Sequence, residues 1–179
     1  MNHDSNFLHP LSAFYARANL PLPPVALVEG EEIPEPYRSL LVHIRDMTST
    51  LENYHQSRIH LRVLSTQDES HAFSREVVLV LDGSEKPVEF GAIIIYLDGF
   101  DAETQELIRA GQRPLGGILN SQGIAYVSRP QAFFRVTADP LIKEVLQLTE
   151  AAILFGRHNT LFDPADRPLA DIVEILPPL

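Results

Sequence analysis

Two charged residues stand where the sequence predicts the interior of a sheet. Arg75 opens an alternating stretch whose apolar members Val77 and Leu79 share its face, and Glu174 lies within the last apolar stretch of the chain. Burying a charge is costly unless the charge is paired or used. An arginine here could hold a ligand carboxylate through two parallel hydrogen bonds. A glutamate could act as an acid, a base or a hydrogen-bond acceptor whose pKa is set by desolvation.

Both residues also have simpler interpretations, which the sequence leaves open. Arg75 could lie at a strand end with its guanidinium in water. Glu174 could face solvent, or it could form a structural salt bridge with an arginine such as Arg75 or Arg157. The prediction that both side chains face a ligand cavity therefore depends on the elements that carry them.

Two glycine-containing stretches could bring the backbone close to a ligand. Residues 114–117, Pro-Leu-Gly-Gly, end a helical stretch and leave backbone amides accessible. Gly156, next to Arg157 in an apolar stretch, indicates a bulge or the close approach of another backbone. Each has an ordinary alternative, which is a turn between two helices for the first and a surface arginine beside a strand glycine for the second.

Composition excludes several classes of protein and site. The chain has 179 residues and a formal net charge of −10, which argues against binding nucleic acid or an anionic membrane surface. It has no cysteine, so disulfides and thiolate metal sites are ruled out. Its seven histidines show no metal-ligand spacing. Because neither a signal-peptide pattern nor a bilayer-spanning apolar run is visible, we expect a cytoplasmic protein with no metal site and no membrane span.

Hydrophobic spacing changes from helical to alternating near residue 59, which predicts helices first and a sheet afterwards. Asp82-Gly83 marks the turn of a hairpin. Strands joined by hairpins, with helices before and between them, predict an α+β domain with an antiparallel sheet of about five or six strands flanked by helices. The predicted helices cover residues 7–20, 36–47, 101–110, 115–119 and 141–148, with a short helix capped by Thr48 or Ser49, and the predicted strands cover residues 59–64, 75–81, 88–97, 123–136, 151–161 and 169–176.

Taken in order along the chain, several of these stretches resemble the chorismate lyase family. Arg-Glu-Val at 75–77, before the hairpin turn, is similar to that family's arginine strand, and Pro-Leu-Gly at 114–116 is similar to a turn at a comparable distance downstream. Phe-Gly-Arg at 155–157 and Glu-Ile-Leu-Pro at 174–177 are similar to its last two strands, and Asp-Met-Thr at 46–48 resembles its lid region. The resemblance predicts a chorismate lyase-like domain at 35–179 after an N-terminal extension at 1–34.

The resemblance implies an enzyme, a carbon–oxygen lyase that removes pyruvate from chorismate and leaves 4-hydroxybenzoate, a quinone precursor, without a metal or an organic cofactor. Arg75 and Glu174 are the implied catalytic residues: Arg75 holds the ring carboxylate and Glu174 lies at the ring-oxygen end. Backbone groups of Met47 and Leu115, with Gly116 beside them, are expected to line the carboxylate end. Aromatisation drives this reaction, so positioning and electrostatics can suffice for catalysis.

One position departs from the family's pattern. Where proteobacterial chorismate lyases carry a second arginine on the returning hairpin strand, alignment by Pro87 places Ala92. Chorismate has two carboxylates, so another cation must hold the second one. Arg157 is the expected substitute and Arg129 is the next choice.

The departure at Ala92 leaves an alternative function open, a non-catalytic binder or sensor of small aromatic carboxylates built on the same fold. Under either function the expected partner is a small carboxylate-bearing molecule, and not nucleic acid. The chain is expected to be a monomer or a dimer.

Overall fold

The chain folds around one large antiparallel sheet. The computed structural model describes residues 7–179. In this part of the chain the strands are β1 (Val25–Val28), β2 (Ile59–Asp68), β3 (Ala72–Leu81), β4 (Pro87–Tyr96), β5 (Val127–Thr137), β6 (Ile153–Phe162) and β7 (Pro168–Leu176), and the α-helices are α1 (Leu11–Arg17), α2 (Tyr37–Leu41), α3 (Met47–His55), α4 (Ala102–Arg109), α5 (Leu115–Ser121) and α6 (Pro140–Val145). The strand order in the sheet is β1–β5–β6–β7–β4–β3–β2, and every neighbouring pair is antiparallel.

Helices cover both faces of the sheet, which explains why β3 is buried along nearly its whole length. Helices α1 and α6 pack on the face that carries Val78 and Val80. Helix α3 packs near Leu79, and α5 packs near Ile93, both on the opposite face. This second face also carries Arg75, and we call it the cavity face.

Strand register assembles a row of residues across the cavity face from distant parts of the chain. Val77 on β3 lies opposite Gly91 on β4, Gly91 lies opposite Glu174 on β7, and Glu174 lies opposite Arg157 on β6. The two charged residues are therefore cross-strand neighbours, close enough to interact directly.

The strand count exceeds the expected five or six because β1 has no recognisable signal in the sequence. It has only four residues, its side chains are half-buried or exposed, and it follows a proline-rich stretch. Its partner is β5, a pairing between segments about a hundred residues apart that no local pattern specifies. All six predicted strands are present, as β2 to β7.

The predicted helix over residues 36–47 is too long, since the observed helix α2 covers only Tyr37–Leu41. Helix α2 ends at Leu41, and α3 begins at Met47 with Asp46 as its N-cap, in place of the expected Thr48 or Ser49. The Asp46 carboxylate accepts a hydrogen bond from the Ser49 amide at 2.8 Å. The intervening segment is irregular because its carbonyl groups bind a side chain from the sheet, as described below.

The described part of the predicted N-terminal extension belongs to the same core. Helix α1 covers only the middle of the predicted helix 7–20, and its Leu11 and Phe14 are buried against the sheet. Strand β1 extends the sheet at one edge. That a family-like domain begins at residue 35 stays a prediction.

Of the two alternatives predicted at Gly156, the close approach of another backbone is present and the bulge is not. The pairing of Gly156 with Ile175 continues the regular register of β6 and β7. A Cβ atom at this position would lie under 3.0 Å from the Glu174 carbonyl oxygen and the Phe134 ring. Only a residue without a side chain fits between these groups.

Replacement of Gly156 by alanine is expected to lower the free energy of unfolding by about 1–3 kcal/mol, because the buried neighbours must shift to accept the methyl group. Gly117 in α5 is the matched control: a Cβ there meets no atom within 4 Å, and alanine favours the helix. Urea unfolding of the two variants checks this, and equal stabilities would contradict it.

Candidate functional site

A cavity of about 310 Å³ lies between the cavity face of the sheet and helices α3 and α5. Its volume is at the lower end of the range for small-molecule sites, about 300–1,000 Å³. Its lining is mostly apolar, with a few buried charged groups. Of the residues selected from the sequence, Arg75, Met47, Leu115, Gly116, Arg157 and Glu174 all line it.

Arg75 is the charged group in this cavity whose donors are least satisfied. It lies on β3, only 2% exposed, and its Nη2 donates to the Arg113 carbonyl at 2.8 Å. Its Nε and Nη1 have no partner among residues 7–179. Burial lowers the pKa of Arg75 to about 10, so the side chain remains a cation at neutral pH. A buried cation with free donors is suited to bind an anion that enters the cavity.

One of the two helix ends at the cavity wall adds further groups that favour an anion. Met47 begins α3, and Leu115 begins α5. The N-cap of α5 is Pro114, which has no side-chain acceptor for the free amides of the first turn. The N-terminal end of a helix carries partial positive charge, but the start of α3 is already capped by the Asp46 carboxylate. Arg75 donates to a backbone carbonyl just before α5, so Arg75 and the first amides of α5 together make one end of the cavity favourable for a carboxylate. We call it the basic end.

Arg157 is fully buried, but it is not a free cation. Its Nε donates to Glu174 Oε2, and its Nη1 donates to the carbonyl oxygens of Leu41 and His43 at 3.1 and 3.0 Å. These bonds hold the irregular segment between α2 and α3. The expectation that Arg157 binds a second ligand carboxylate is therefore corrected: it is the structural salt-bridge partner of Glu174.

His43 in that segment is held in its neutral form. Burial, and then the nearby Arg157 guanidinium, lower the pKa of His43 to about 4. Its Nε2 lies 2.7 Å from the Leu40 carbonyl oxygen. His43 therefore adds no second cation at neutral pH.

Arg129, the second choice for a substitute cation, does not line the cavity. Its side chain is 47% exposed and pairs with Asp166 at 2.6 Å, and its guanidinium lies over the Phe162 ring. Alternation along β5 places the neighbouring Ser128 at the cavity instead. The prediction of a binding role for Arg129 was wrong for that reason.

Glu89 is a cavity residue that the sequence reasoning missed. It lies on β4, is 5% exposed and lines the cavity near Glu174. Its Oε2 has no hydrogen-bond partner within the described chain. Burial, and then the Glu174 carboxylate, raise the pKa of Glu89 well above its ordinary value. A glutamate within an otherwise apolar strand, on the same alternation as Gly91, was the available signal.

Glu89, Glu174 and Arg157 form the second charged cluster of the cavity, which we call the acidic end. It combines two carboxyl groups with one guanidinium that is already bound to Glu174. Ala92, at the position where a second arginine was expected, is buried and contributes no charge. The cavity therefore has opposite electrostatic character at its two ends.

Within residues 7–179, no group of three or more His, Asp or Glu side chains is placed to hold a metal ion. No helix in the same range is long and apolar enough to cross a membrane.

Several solved structures share this fold. The ligand-binding domain of a protein assigned to the GntR family of transcriptional regulators, from Bordetella bronchiseptica, matches with a TM-score of 0.53 and 18% identity, over 66% of this chain and 85% of that chain. The effector domain of PhnF from Mycobacterium smegmatis matches with a TM-score of 0.55 and 14% identity, over 73% and 87% of the two chains. Another PhnF structure gives 0.56 and 14%, over 75% of this chain but 64% of that chain.

No protein-family model matches the chain, and no curated protein matches it. At identities of 14–18% the structural likeness shows the fold and nothing finer. It confirms the predicted α+β architecture, an antiparallel sheet flanked by helices.

Proposed function

We propose that this chain is a binding domain for a small carboxylate-bearing molecule, which occupies the cavity with its carboxylate at Arg75. The observation that carries the proposal is the buried, incompletely satisfied guanidinium of Arg75. A protein that keeps such a group without a partner loses stability by doing so, and functional use of the group accounts for its retention.

The donors of Arg75 suit an end-on carboxylate. Nη1 is free, and Nη2 uses one of its two N–H groups on the Arg113 carbonyl. A carboxylate can therefore accept one hydrogen bond from each terminal nitrogen. The first turn of α5, at Leu115, lies at the same cavity, has no side-chain cap and adds a favourable partial charge; the first turn of α3, at Met47, is already capped by Asp46.

The acidic end argues for binding over lyase chemistry on chorismate. A second carboxylate would face Glu89, Glu174 and an arginine that already binds Glu174. None of these three side chains is an unpaired cation, and burying a carboxylate without a cation is costly. Two solved domains of this fold are described as ligand-binding and effector domains, which supports a binding or sensing role. Lyase activity remains the second candidate because Glu174, to which the family resemblance gives a catalytic role, lines the cavity.

Incubation of the purified protein with chorismate, and separate calorimetric titration with 4-hydroxybenzoate, distinguishes the two candidates. We expect saturable binding of 4-hydroxybenzoate with one site per chain, and no release of pyruvate from chorismate above the rate without protein. Catalytic release of pyruvate would establish the lyase. Failure of 4-hydroxybenzoate and of simple benzoates to bind would contradict the proposed carboxylate site.

A further inference from the structure

We propose that Glu89 is a ligand-binding residue, and that it selects small carboxylates which carry an ammonium group at the end remote from the carboxylate. The inference rests on the proposed function, since it assumes that Arg75 holds the acid group. It adds a second recognition point at the acidic end of the same cavity, and it names the ligand class as amino acids whose two charged groups lie far apart.

The register of the β3–β4 hairpin sets the distance between the two recognition points. Arg75 lies opposite Ile93, and Glu89 lies on the same strand as Ile93, four residues earlier. At about 3.3 Å per residue, the Cα atoms of Glu89 and Ile93 are about 13 Å apart along β4. Arg75 and Glu89 both line the cavity, whose volume of about 310 Å³ is enough for one small molecule.

The bonds of the acidic end leave Glu89 without a cation of its own. The Arg157 guanidinium binds Glu174 and the carbonyl oxygens of Leu41 and His43. Glu89 Oε2 is buried and has no hydrogen-bond partner among residues 7–179. An unsatisfied buried acceptor is unfavourable, and a donor on a ligand removes that cost.

The charges of the acidic end favour an ammonium over a neutral hydroxyl. Glu89 faces a second carboxylate, Glu174, as well as the guanidinium that Glu174 already binds. Burial and the Glu174 carboxylate raise the pKa of Glu89, which favours its protonated form while no cation lies beside it. A ligand ammonium supplies that cation together with hydrogen-bond donors, so Glu89 ionises against it and releases its proton to solvent. A second ligand carboxylate finds no unpaired cation among these three side chains.

Calorimetric titration with matched para-substituted benzoates tests this selectivity. The ammonium probes are 4-(aminomethyl)benzoate and 4-(2-aminoethyl)benzoate, which differ in reach, and the controls are 4-methylbenzoate, 4-ethylbenzoate and terephthalate. We expect at least one ammonium probe to bind about tenfold or more tightly than its alkyl control, and terephthalate to bind more weakly than 4-methylbenzoate. In Glu89→Gln the advantage of the ammonium probe should shrink at least severalfold. Glu85→Gln, an exposed position on the same hairpin, should retain it.

The outcomes separate this inference from the proposed function. If the alkyl benzoates bind in an Arg75-dependent way but neither ammonium probe binds better, or if Glu89→Gln keeps the full preference, the carboxylate site stands and the role of Glu89 is wrong. If no benzoate binds, both proposals fall. Should Glu89→Gln not fold, the ranking of ammonium, alkyl and carboxylate probes on the wild-type protein decides the question.

Discussion

Replacement of Arg75 by methionine is expected to weaken the binding of 4-hydroxybenzoate by about 100-fold or more, while the protein stays folded. The ligand carboxylate would lose its charged hydrogen-bond donors in a desolvated cavity, and such bonds contribute about 1.5–3 kcal/mol each. Methionine has an unbranched side chain that can fill the same space. The native arginine makes one hydrogen bond, to the Arg113 carbonyl, so its removal leaves one acceptor to be satisfied by water.

Stability should change in the opposite direction from affinity. Removing a buried, unpaired cation removes its desolvation penalty, so we expect Arg75→Met to unfold at the same temperature as the wild-type protein or at a higher one. Arg129→Met is the control, because that exposed arginine pairs with Asp166 outside the cavity, and it should bind like the wild type. Retention of full affinity in Arg75→Met would remove Arg75 from the site, and a large loss of stability would mean that its role is structural.

Replacement of Arg157 by methionine is expected to cost about 3–5 kcal/mol of unfolding free energy, the typical loss when one partner of a buried ion pair is removed. The variant would leave Glu174 buried beside Glu89 without a cation. It would also release the carbonyl groups of Leu41 and His43, which hold the segment before α3. Denaturant unfolding at neutral pH measures this loss.

A double variant shows whether the loss comes from the broken pair. Arg157→Met combined with Glu174→Leu removes both charges, and it should recover a large part of the stability lost in Arg157→Met alone. The single and double variants losing the same free energy would mean that the carbonyl contacts dominate. A weakened affinity for benzoates in Arg157→Met, without any loss of stability, would restore the second-cation role expected from the sequence.

The face of the sheet on which Arg75 lies was predictable, because the alternation of residues along a strand determines it. Period-two spacing from Arg75 to Leu79 predicts which residues share a face, and the hairpin turn at Asp82-Gly83 predicts the partner strand. The structure places Arg75 in the cavity on that face. Helix starts near Met47 and Leu115 were also accessible from helix-forming and helix-breaking residues.

The rest of the site depends on strand register and on which partners the buried charges bind. The sequence allowed the Arg157–Glu174 salt bridge only as one of several alternatives, because the β6–β7 register that makes these residues neighbours cannot be read from their spacing. The same arginine explains the failed helix prediction at 36–47, because its hydrogen bonds to Leu41 and His43 compete with helical ones. Glu89 was missed because its neighbours on β4 are apolar and the family resemblance directed attention to Ala92.

A crystal structure of the protein with 4-iodobenzoate tests the central claim most directly, because the anomalous signal of iodine fixes the orientation of the ligand. The account predicts one molecule in the cavity, with its carboxylate within hydrogen-bond distance of Arg75 Nη1 or Nη2 and its iodine directed toward Glu89 and Glu174. A carboxylate bound to Arg157 in place of Glu174, or iodine found only outside the cavity, would contradict it.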